Sequence, residues 1–235
     1  MGRFARVVAV GVAHHVTQRG NAKRYILDTD ADRMVYLGLL LENIKRHGAS
    51  LLGYCLMSNH VHLVMIPEEA NSLALSLKNT HGRYASYWNA RHRSSGHLWK
   101  GRFYSCPLDR AHLWKALRYT ELNPLRAGLV SDASVWSWSS AAVHCGIASP
   151  TVDLAVELWA EHWSPATWKA YLDAGETDEE LKAIRQCTHT GRPLGEKSFV
   201  RDLEEATQRS LSPKTGGRPA KSEGDSRQCM LFLEP

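Results

Sequence analysis

Two apolar segments separated by one polar turn dominate the first third of this chain. Residues 49–57 and 60–66 are rich in aliphatic side chains, and only the dipeptide Ser58-Asn59 lies between them. This spacing predicts two antiparallel strands joined as a hairpin. Because side chains alternate between the two faces of a strand, His60 and His62 are expected on the same face. A fold built on this hairpin must present two imidazoles side by side, either as hydrogen-bonded structural histidines or as metal ligands.

The order of the remaining elements predicts a ferredoxin-like fold. A β-branched run predicts a strand over residues 6–18, and apolar residues at helical spacing predict helices over 30–46 and 73–89. A short strand over 103–108 and a helix over 111–122 follow. The order β-α-β-β-α-β-α is that of an α+β fold, a ferredoxin-like antiparallel sheet with helices on one face plus an added helix.

The added helix carries a tyrosine and an asparagine four positions apart. Tyr119 and Asn123 share one helix face with His112 and Lys115, as a polar stripe. This stripe is either a solvated face, with Tyr119 at the edge of the core and Asn123 as a C-terminal cap, or a face turned towards the histidine pair. In the second case two imidazoles, an amide oxygen and a phenol converge on one metal ion. Such a set can attack a phosphodiester with the tyrosine oxygen.

A long segment without acidic residues indicates a polyanionic partner. Residues 70–108 hold no Asp or Glu, and the whole chain has a net charge of +5. Cations on phosphates and rings stacked on unpaired bases are the means by which proteins hold single strands. A basic helix on a membrane is the alternative, but the segment lacks the broad apolar face that this requires. The cations and aromatic residues of the segment are Lys78, Arg83, Tyr84, Tyr87, Trp88, Arg91, Arg93, Trp99, Lys100, Arg102, Phe103 and Tyr104.

The cysteine pattern and the lack of long apolar runs predict a cytoplasmic protein. The five cysteines are scattered without a close pair, which is typical of reduced thiols rather than of disulfides or a zinc site. The sequence shows neither a signal-peptide pattern nor an apolar run long enough to span a bilayer. No membrane partner is therefore expected.

Four segments of the sequence resemble one family, the REP-associated tyrosine transposases. These are relatives of the single-strand insertion-sequence transposases, within the HUH (His-hydrophobic-His) endonuclease class. The resemblance spans roughly residues 6–140, and residues 191–200 look like the C-terminal extension of longer members. The segments that carry it are His15–Asn21, Tyr54–Val64, Gly96–Phe103 and Arg118–Val130.

The resemblance implies a transposase that cleaves and transfers single-stranded hairpin DNA, acting as a monomer or a homodimer. His60, His62 and Asn123 would bind a divalent metal, Mg²⁺ or Mn²⁺, and imidazole ligands favour Mn²⁺. Tyr119 would be the nucleophile that becomes joined to the 5′-phosphate and releases a 3′-hydroxyl. Because the tyrosyl ester conserves the energy of the phosphodiester, another 3′-hydroxyl can displace it. Lys115, one turn earlier, is either a phosphate or phenolate contact or a surface lysine.

The resemblance and the change of composition after residue 130 predict the division of the chain. We expect a catalytic domain over residues 1–140 and a small helical C-terminal extension over 141–209. The segment 210–235 is basic, rich in Pro, Gly, Ser and Lys, and predicted to be disordered. Four short helices are expected in the extension, over residues 153–163, 165–174, 178–187 and 196–206.

The residues expected to contact DNA come mainly from the basic segment. Within the tail, residues 213–221 resemble an AT-hook that inserts Arg218 into an A·T minor groove, although a solvated linker has the same composition. His15 is either a residue that lines the DNA site or a structural polar residue. The expected DNA contacts are Arg19, Arg83, Arg91, Arg93, His97, Trp99, Lys100, Arg102, Lys115 and Arg218.

Three other functions are compatible with the sequence. The first is a nicking initiator or relaxase of the same HUH class, although these often have a second catalytic tyrosine or a helicase domain. The second is a non-catalytic ferredoxin-like module that binds RNA or single-stranded DNA. The third is a zinc-dependent phosphoesterase that uses metal-bound water, with Tyr119 in a structural role.

Overall fold

The sheet has the predicted ferredoxin-like topology. The computed structural model describes residues 5–150 and 152–212. Its four strands are antiparallel and lie in the order β2-β3-β1-β4, so the two histidines are on a central strand. The first strand is shorter than predicted, because Gly11 adopts a left-handed φ of 72° and turns the chain just before it. The strands are β1 (His14–Arg19), β2 (Ala49–Leu56), β3 (His60–Pro67) and β4 (Tyr104–Pro107).

Two long helices cover one face of the sheet. They are α1 (Asp30–His47) and α2 (Ser72–Arg91). Thr29 begins α1 with a capping box, in which its hydroxyl accepts from Asp32 N and the Asp32 carboxylate accepts from Thr29 N. The inward residues of the strands, such as Val16 and Leu63, are fully buried against these helices. This face forms the main core, so the opposite face is the one that carries His60 and His62.

A third helix lies on the opposite face, as predicted for the tyrosine-bearing helix. This is α3 (Arg110–Glu121), and it is followed directly by α4 (Asn123–Arg126). Gly53 on β2 permits the contact, because a side chain there would collide with Leu117 of α3. Pro124 disfavours helical geometry at the residue before it, yet Asn123 begins α4 and Pro124 lies in the first turn of that helix. Proline is tolerated there, where its missing N–H would have no helical partner.

The C-terminal extension packs onto the same face as α3. It contains α5 (Ala141–His144), α6 (Val156–Ala160), α7 (Pro165–Asp173), α8 (Asp178–Thr190) and α9 (Lys197–Thr207). The buried side chains of α7 and α8, Trp168 and Ile184 among them, share one cluster with α3. Leu211 is also buried and packs with Val7, so ordered packing continues past residue 210. Arg218 and the rest of the AT-hook-like segment lie outside the described residues.

Two further expectations concern the thiols and the membrane. Cys55, Cys106, Cys145 and Cys187 are free thiols. None of the helices within the described ranges is both long and apolar enough to cross a membrane.

Candidate active site

The histidine pair and the tyrosine meet on the α3 face of the sheet. The ring centroids of His60 and His62 are 5.0 Å apart, and that of Tyr119 is 5.5 Å from His62. Tyr119 is only 7% exposed and His62 only 6%. Within the described residues, no hydrogen bond occupies the phenol oxygen of Tyr119. The structure therefore brings together the predicted nucleophile and both predicted histidine ligands within one chain.

Both histidines are held through Nδ1. His60 Nδ1 lies 2.6 Å from Asn59 Oδ1, and His62 Nδ1 lies 3.0 Å from His15 Nε2. His15 Nδ1 in turn lies 2.7 Å from Thr188 Oγ1 on α8. Metal-binding histidines are usually fixed in this way through the nitrogen that does not bind the metal. The nitrogen left to each of His60 and His62 is Nε2.

Burial keeps these rings neutral. Burial, with help from the Arg19 and Arg126 guanidinium groups, lowers the pKa of His60 to about 4. Burial is the largest cause that lowers the pKa of His62 well below its usual value, and the neighbouring His60 and His15 lower it further. A neutral imidazole has the lone pair that a metal requires, so both rings are in the ligand form at neutral pH.

Asn123, the third predicted ligand, caps the C-terminal end of α3. Its Nδ2 donates to the carbonyl oxygens of Tyr119, at 3.0 Å, and of Thr120, at 3.3 Å. The amide nitrogen thus closes the end of α3, as one of the two interpretations expected, while Oδ1 takes no part in these bonds. An amide oxygen and two neutral imidazoles suit a divalent ion such as Mn²⁺. Within the described residues, no group of three His, Cys, Asp or Glu side chains could hold a metal. The predicted ligand set contains only two residues of these types, His60 and His62, because its third member is an asparagine.

An arginine not predicted from the sequence lies against the tyrosine. The Arg126 guanidinium carbon is 4.1 Å from the centroid of the Tyr119 ring. Its Nη2 donates to the Tyr119 carbonyl at 2.6 Å, and its Nη1 is bonded to the Glu176 carboxylate. Burial raises the pKa of Glu176, and the nearby Arg126 opposes that rise. A cation over the ring of a tyrosine can stabilise negative charge at its oxygen, which would favour Tyr119 as the predicted nucleophile.

Lys115, which shares the predicted stripe, is paired with an acid of the extension. Its Nζ lies 3.3 Å from Glu180 Oε1, and the same carboxylate accepts from Arg118 at 2.6 Å. The ammonium group of Lys115 is therefore paired with a carboxylate, and a contact between Lys115 and phosphate stays a prediction.

A basic cavity opens beside the histidine end of the sheet. It has a volume of about 940 Å³, and none of its described lining residues is acidic. Lys78, His97 and Lys100 are among those residues. Lys100 N donates to the carbonyl of Arg19 at 2.9 Å, and Arg19 is the β1 partner of His60. The cavity therefore lies on the α2 side of the sheet and adjoins the end of β1 at Arg19, whereas the candidate metal ligands lie on the other face of the same end.

The predicted DNA contacts fall into two groups in the structure. Arg83 pairs with Glu42 at 2.7 Å and Arg91 with Asp32 at 3.6 Å, so salt bridges within the protein already engage their charges. Trp99 is only 9% exposed and packs in the core, which leaves little ring for a base to stack on. Arg19, Arg93, His97, Lys100 and Arg102 are exposed as well.

Three residues that support the candidate ligands and the tyrosine were not predicted from the sequence to do so. His15 was left between two roles, and it is the hydrogen-bond partner of His62. Arg126 lies in the same segment as Asn123, so its position within that motif was an available signal. Nothing in the sequence pattern marks Thr188, because its contact with His15 spans 173 positions.

Comparisons with known proteins found a family model and solved structures that resemble this chain. Residues 9–123 match a family model described as "Transposase IS200 like". One solved structure, a REP-associated tyrosine transposase bound to a REP hairpin, is 16% identical, with a TM-score of 0.51 over 67% of this chain and 93% of that one. A second, a candidate transposase from Deinococcus radiodurans R1, is 15% identical, with a TM-score of 0.36 over 50% of this chain and 95% of that one. No curated protein matches this chain.

Proposed function

Because this chain belongs, through residues 9–123, to the IS200-like transposase family, we propose that it cleaves and rejoins single-stranded hairpin DNA with Tyr119 as the nucleophile. The observation that carries the proposal is the 5.5 Å separation of the Tyr119 and His62 rings. A structural tyrosine does not need to lie beside two neutral imidazoles with its oxygen unbonded. These features are those of a nucleophile next to a metal site.

In the proposed reaction the Tyr119 oxygen bonds to the phosphorus of a DNA phosphodiester. The bond from phosphorus to the 3′-oxygen breaks, and that oxygen leaves as a 3′-hydroxyl after taking up a proton. His60, His62 and Asn123 would hold a divalent metal, which when bound neutralises charge on the phosphoryl oxygens. Arg126 would keep the ring in position and stabilise the oxygen once its proton has left. A second 3′-hydroxyl can reverse the step on another strand.

The substrate assignment rests on charge and on one structural neighbour. The basic cavity adjoins the end of β1 at Arg19, the strand partner of His60, and we propose that a DNA strand bound there passes around this end of the sheet to the face that carries His60. The neighbour with the same fold is bound to a REP hairpin. We propose a hairpin with an unpaired segment as substrate, since a fully paired duplex offers no unpaired bases to this cavity.

The site also bears on the oligomeric state. Tyr119 approaches His62 of its own chain, and α3 is joined to the sheet by the short connection after β4. One chain therefore supplies all four proposed residues. We propose that the protein acts without exchanging its tyrosine helix between subunits.

The test of this function is the formation of a covalent product. The full-length protein is incubated with a hairpin oligonucleotide, labelled on the 3′ side of the cleavage site, and Mn²⁺, and then run on a denaturing gel. The expected result is a labelled protein band, with mass spectrometry placing the DNA on the peptide that contains Tyr119. The band should be lost when EDTA removes the metal, and lost or much reduced in His60→Ala, because the metal and its ligand support the step.

The same gel distinguishes the competing functions. Hairpin binding without cleavage in the presence of Mn²⁺ supports a non-catalytic module and refutes the proposal. Cleavage that leaves no protein-bound DNA and survives Tyr119→Phe supports the phosphoesterase. Covalent cleavage without joining of a second strand supports the nicking initiator.

Lys100 is expected to contribute to DNA binding through charge. Its side chain is exposed and lines the basic cavity, so Lys100→Ala should weaken hairpin binding several-fold, on the order of 1 kcal/mol. The slope of log Kd against log salt concentration should fall by about 1. Fluorescence anisotropy over a salt series measures both quantities. Arg201→Ala is the matched control, because Arg201 is exposed on α9 beside Asp202 and does not line the cavity. Equal Kd values for the two variants would contradict this role.

A further inference from the structure

A chain of three buried hydrogen-bonding side chains connects the candidate metal site to the C-terminal extension. It runs from His62 Nδ1 to His15 Nε2, at 3.0 Å, and from His15 Nδ1 to Thr188 Oγ1, at 2.7 Å. Thr188 Oγ1 also lies 3.4 Å from Cys106 Sγ. His15 is 1% exposed and Thr188 is 4% exposed, so water does not compete for these bonds. The family match ends at residue 123, well before Thr188.

The chain has two possible directions, and they present different atoms at His62. If Thr188 donates to His15 and His15 donates to His62, the remaining nitrogen of His62 carries a proton and cannot bind a metal. If His62 donates to His15 and His15 donates to Thr188, that nitrogen presents its lone pair. The hydroxyl of Thr188 then has Cys106 Sγ within reach as an acceptor for its own proton. Only the second direction is compatible with a metal on His62.

We propose that His15 and Thr188 are positioning residues, which fix the tautomer and ring orientation of His62 for metal binding. On this proposal, which rests on the metal-dependent function above, α8 of the C-terminal extension completes the active site. A buried imidazole without such a partner can rotate or present its protonated nitrogen to the metal. The extension would then be required for metal affinity even though it contributes no metal ligand.

A competing interpretation is that Thr188 only packs α8 against the sheet. Two substitutions at this position separate packing from hydrogen bonding. Thr188→Val keeps the shape and removes the hydroxyl, whereas Thr188→Ser keeps the hydroxyl and removes a methyl group. Ile184, which is 1% exposed and lies one turn earlier on α8, supplies the packing control as Ile184→Val.

The experiment measures Mn²⁺ binding to the full-length protein in the absence of DNA, by the loss of the free-ion electron paramagnetic resonance signal. Thr188→Val is expected to weaken binding about 10-fold, and His15→Phe by about 10- to 100-fold. Thr188→Ser and Ile184→Val should remain within about 2-fold of the unaltered protein. Thermal melting of each variant identifies any loss of fold, and Thr188→Ser is the rescue that a packing role would not predict.

The outcomes separate this inference from the proposed function. If the unaltered protein forms the covalent DNA product and Thr188→Val binds Mn²⁺ as tightly as it does, the positioning role is refuted and the function stands. If no covalent product forms but Thr188→Val and His15→Phe still weaken Mn²⁺ binding, the positioning role stands and the function is refuted. Equal losses of affinity in Thr188→Val and Ile184→Val would assign Thr188 to packing and overturn the inference.

Discussion

Tyr119→Phe is expected to reduce covalent attachment to DNA by at least about 10⁴-fold, because it removes the only atom proposed to bond to phosphorus. The ring itself should stay in place, between His62 on one side and the Arg126 guanidinium 4.1 Å from its centroid. Within the described residues the phenol oxygen makes no hydrogen bond, so its loss leaves no buried partner unsatisfied. Melting temperature and Mn²⁺ affinity should therefore remain close to those of the unaltered protein.

The measurement is the initial rate of covalent product formation with a labelled hairpin and Mn²⁺. Tyr171→Phe is the matched control, because Tyr171 also has an arginine over its ring, with the Arg118 guanidinium carbon 4.0 Å from the centroid. This control should keep the rate of the unaltered protein. Covalent product that persists in Tyr119→Phe would assign the nucleophile to another residue, and product loss accompanied by unfolding would assign Tyr119 to the core.

The sequence predicted the sheet because its signals there are local. The hairpin around Ser58-Asn59 and the alternation of β3 each depend on neighbouring residues, and both histidines lie on one face as expected. The order of strands and helices then restricts the topology to few arrangements. The approach of Tyr119 to His62 follows from that topology, since α3 has only one uncovered face of the sheet on which to pack.

The residues that support the site could not be predicted in the same way. Arg126 is bonded to Glu176, which is 50 positions away, and His15 to Thr188, which is 173 positions away. Such contacts depend on where the extension packs, and hydrophobic periodicity gives no information on that. Trp99 illustrates the same limit, because its position in a basic segment suggested DNA stacking whereas the structure buries it in the core.

The polar stripe of α3 is an example of a sequence pattern whose exposure depends on tertiary packing. A stripe of polar residues at helical spacing is typical of a solvated face. Here the extension covers that face, so Tyr119 is 7% exposed and Asn123 is 9% exposed. Asn123 donates to the Tyr119 and Thr120 carbonyls and Lys115 pairs with Glu180 of the extension, whereas the Tyr119 oxygen makes no hydrogen bond within the described residues. A covered polar face of this kind is typical of a functional site rather than of a surface helix.

Glu121 is expected to be the residue on which the stability of this arrangement depends most. Its carboxylate is fully buried two residues after Tyr119. One oxygen accepts from Ser140 Oγ at 2.5 Å and from His144 Nδ1 at 2.6 Å, and the other accepts from Trp168 Nε1 at 2.8 Å. Ser140 precedes α5, His144 ends it and Trp168 lies on α7, so a single carboxylate joins the tyrosine helix to the extension.

Glu121→Ala should lower the free energy of unfolding by about 3–5 kcal/mol, because it leaves the buried donors of His144 and Trp168 without an acceptor and creates a cavity. In a chain of this size the melting temperature should fall by on the order of 10 °C. Differential scanning calorimetry measures both, with Glu179→Ala as the control, since Glu179 is exposed on α8. A loss below about 1 kcal/mol would mean that water or repacking replaces the carboxylate. The larger loss would mean that the tyrosine helix depends on the extension for its stability. Within the described residues only Glu121 accepts from His144 Nδ1 and Trp168 Nε1, whereas Ser140 Oγ has one other acceptor, Tyr54 O of β2 at 3.4 Å.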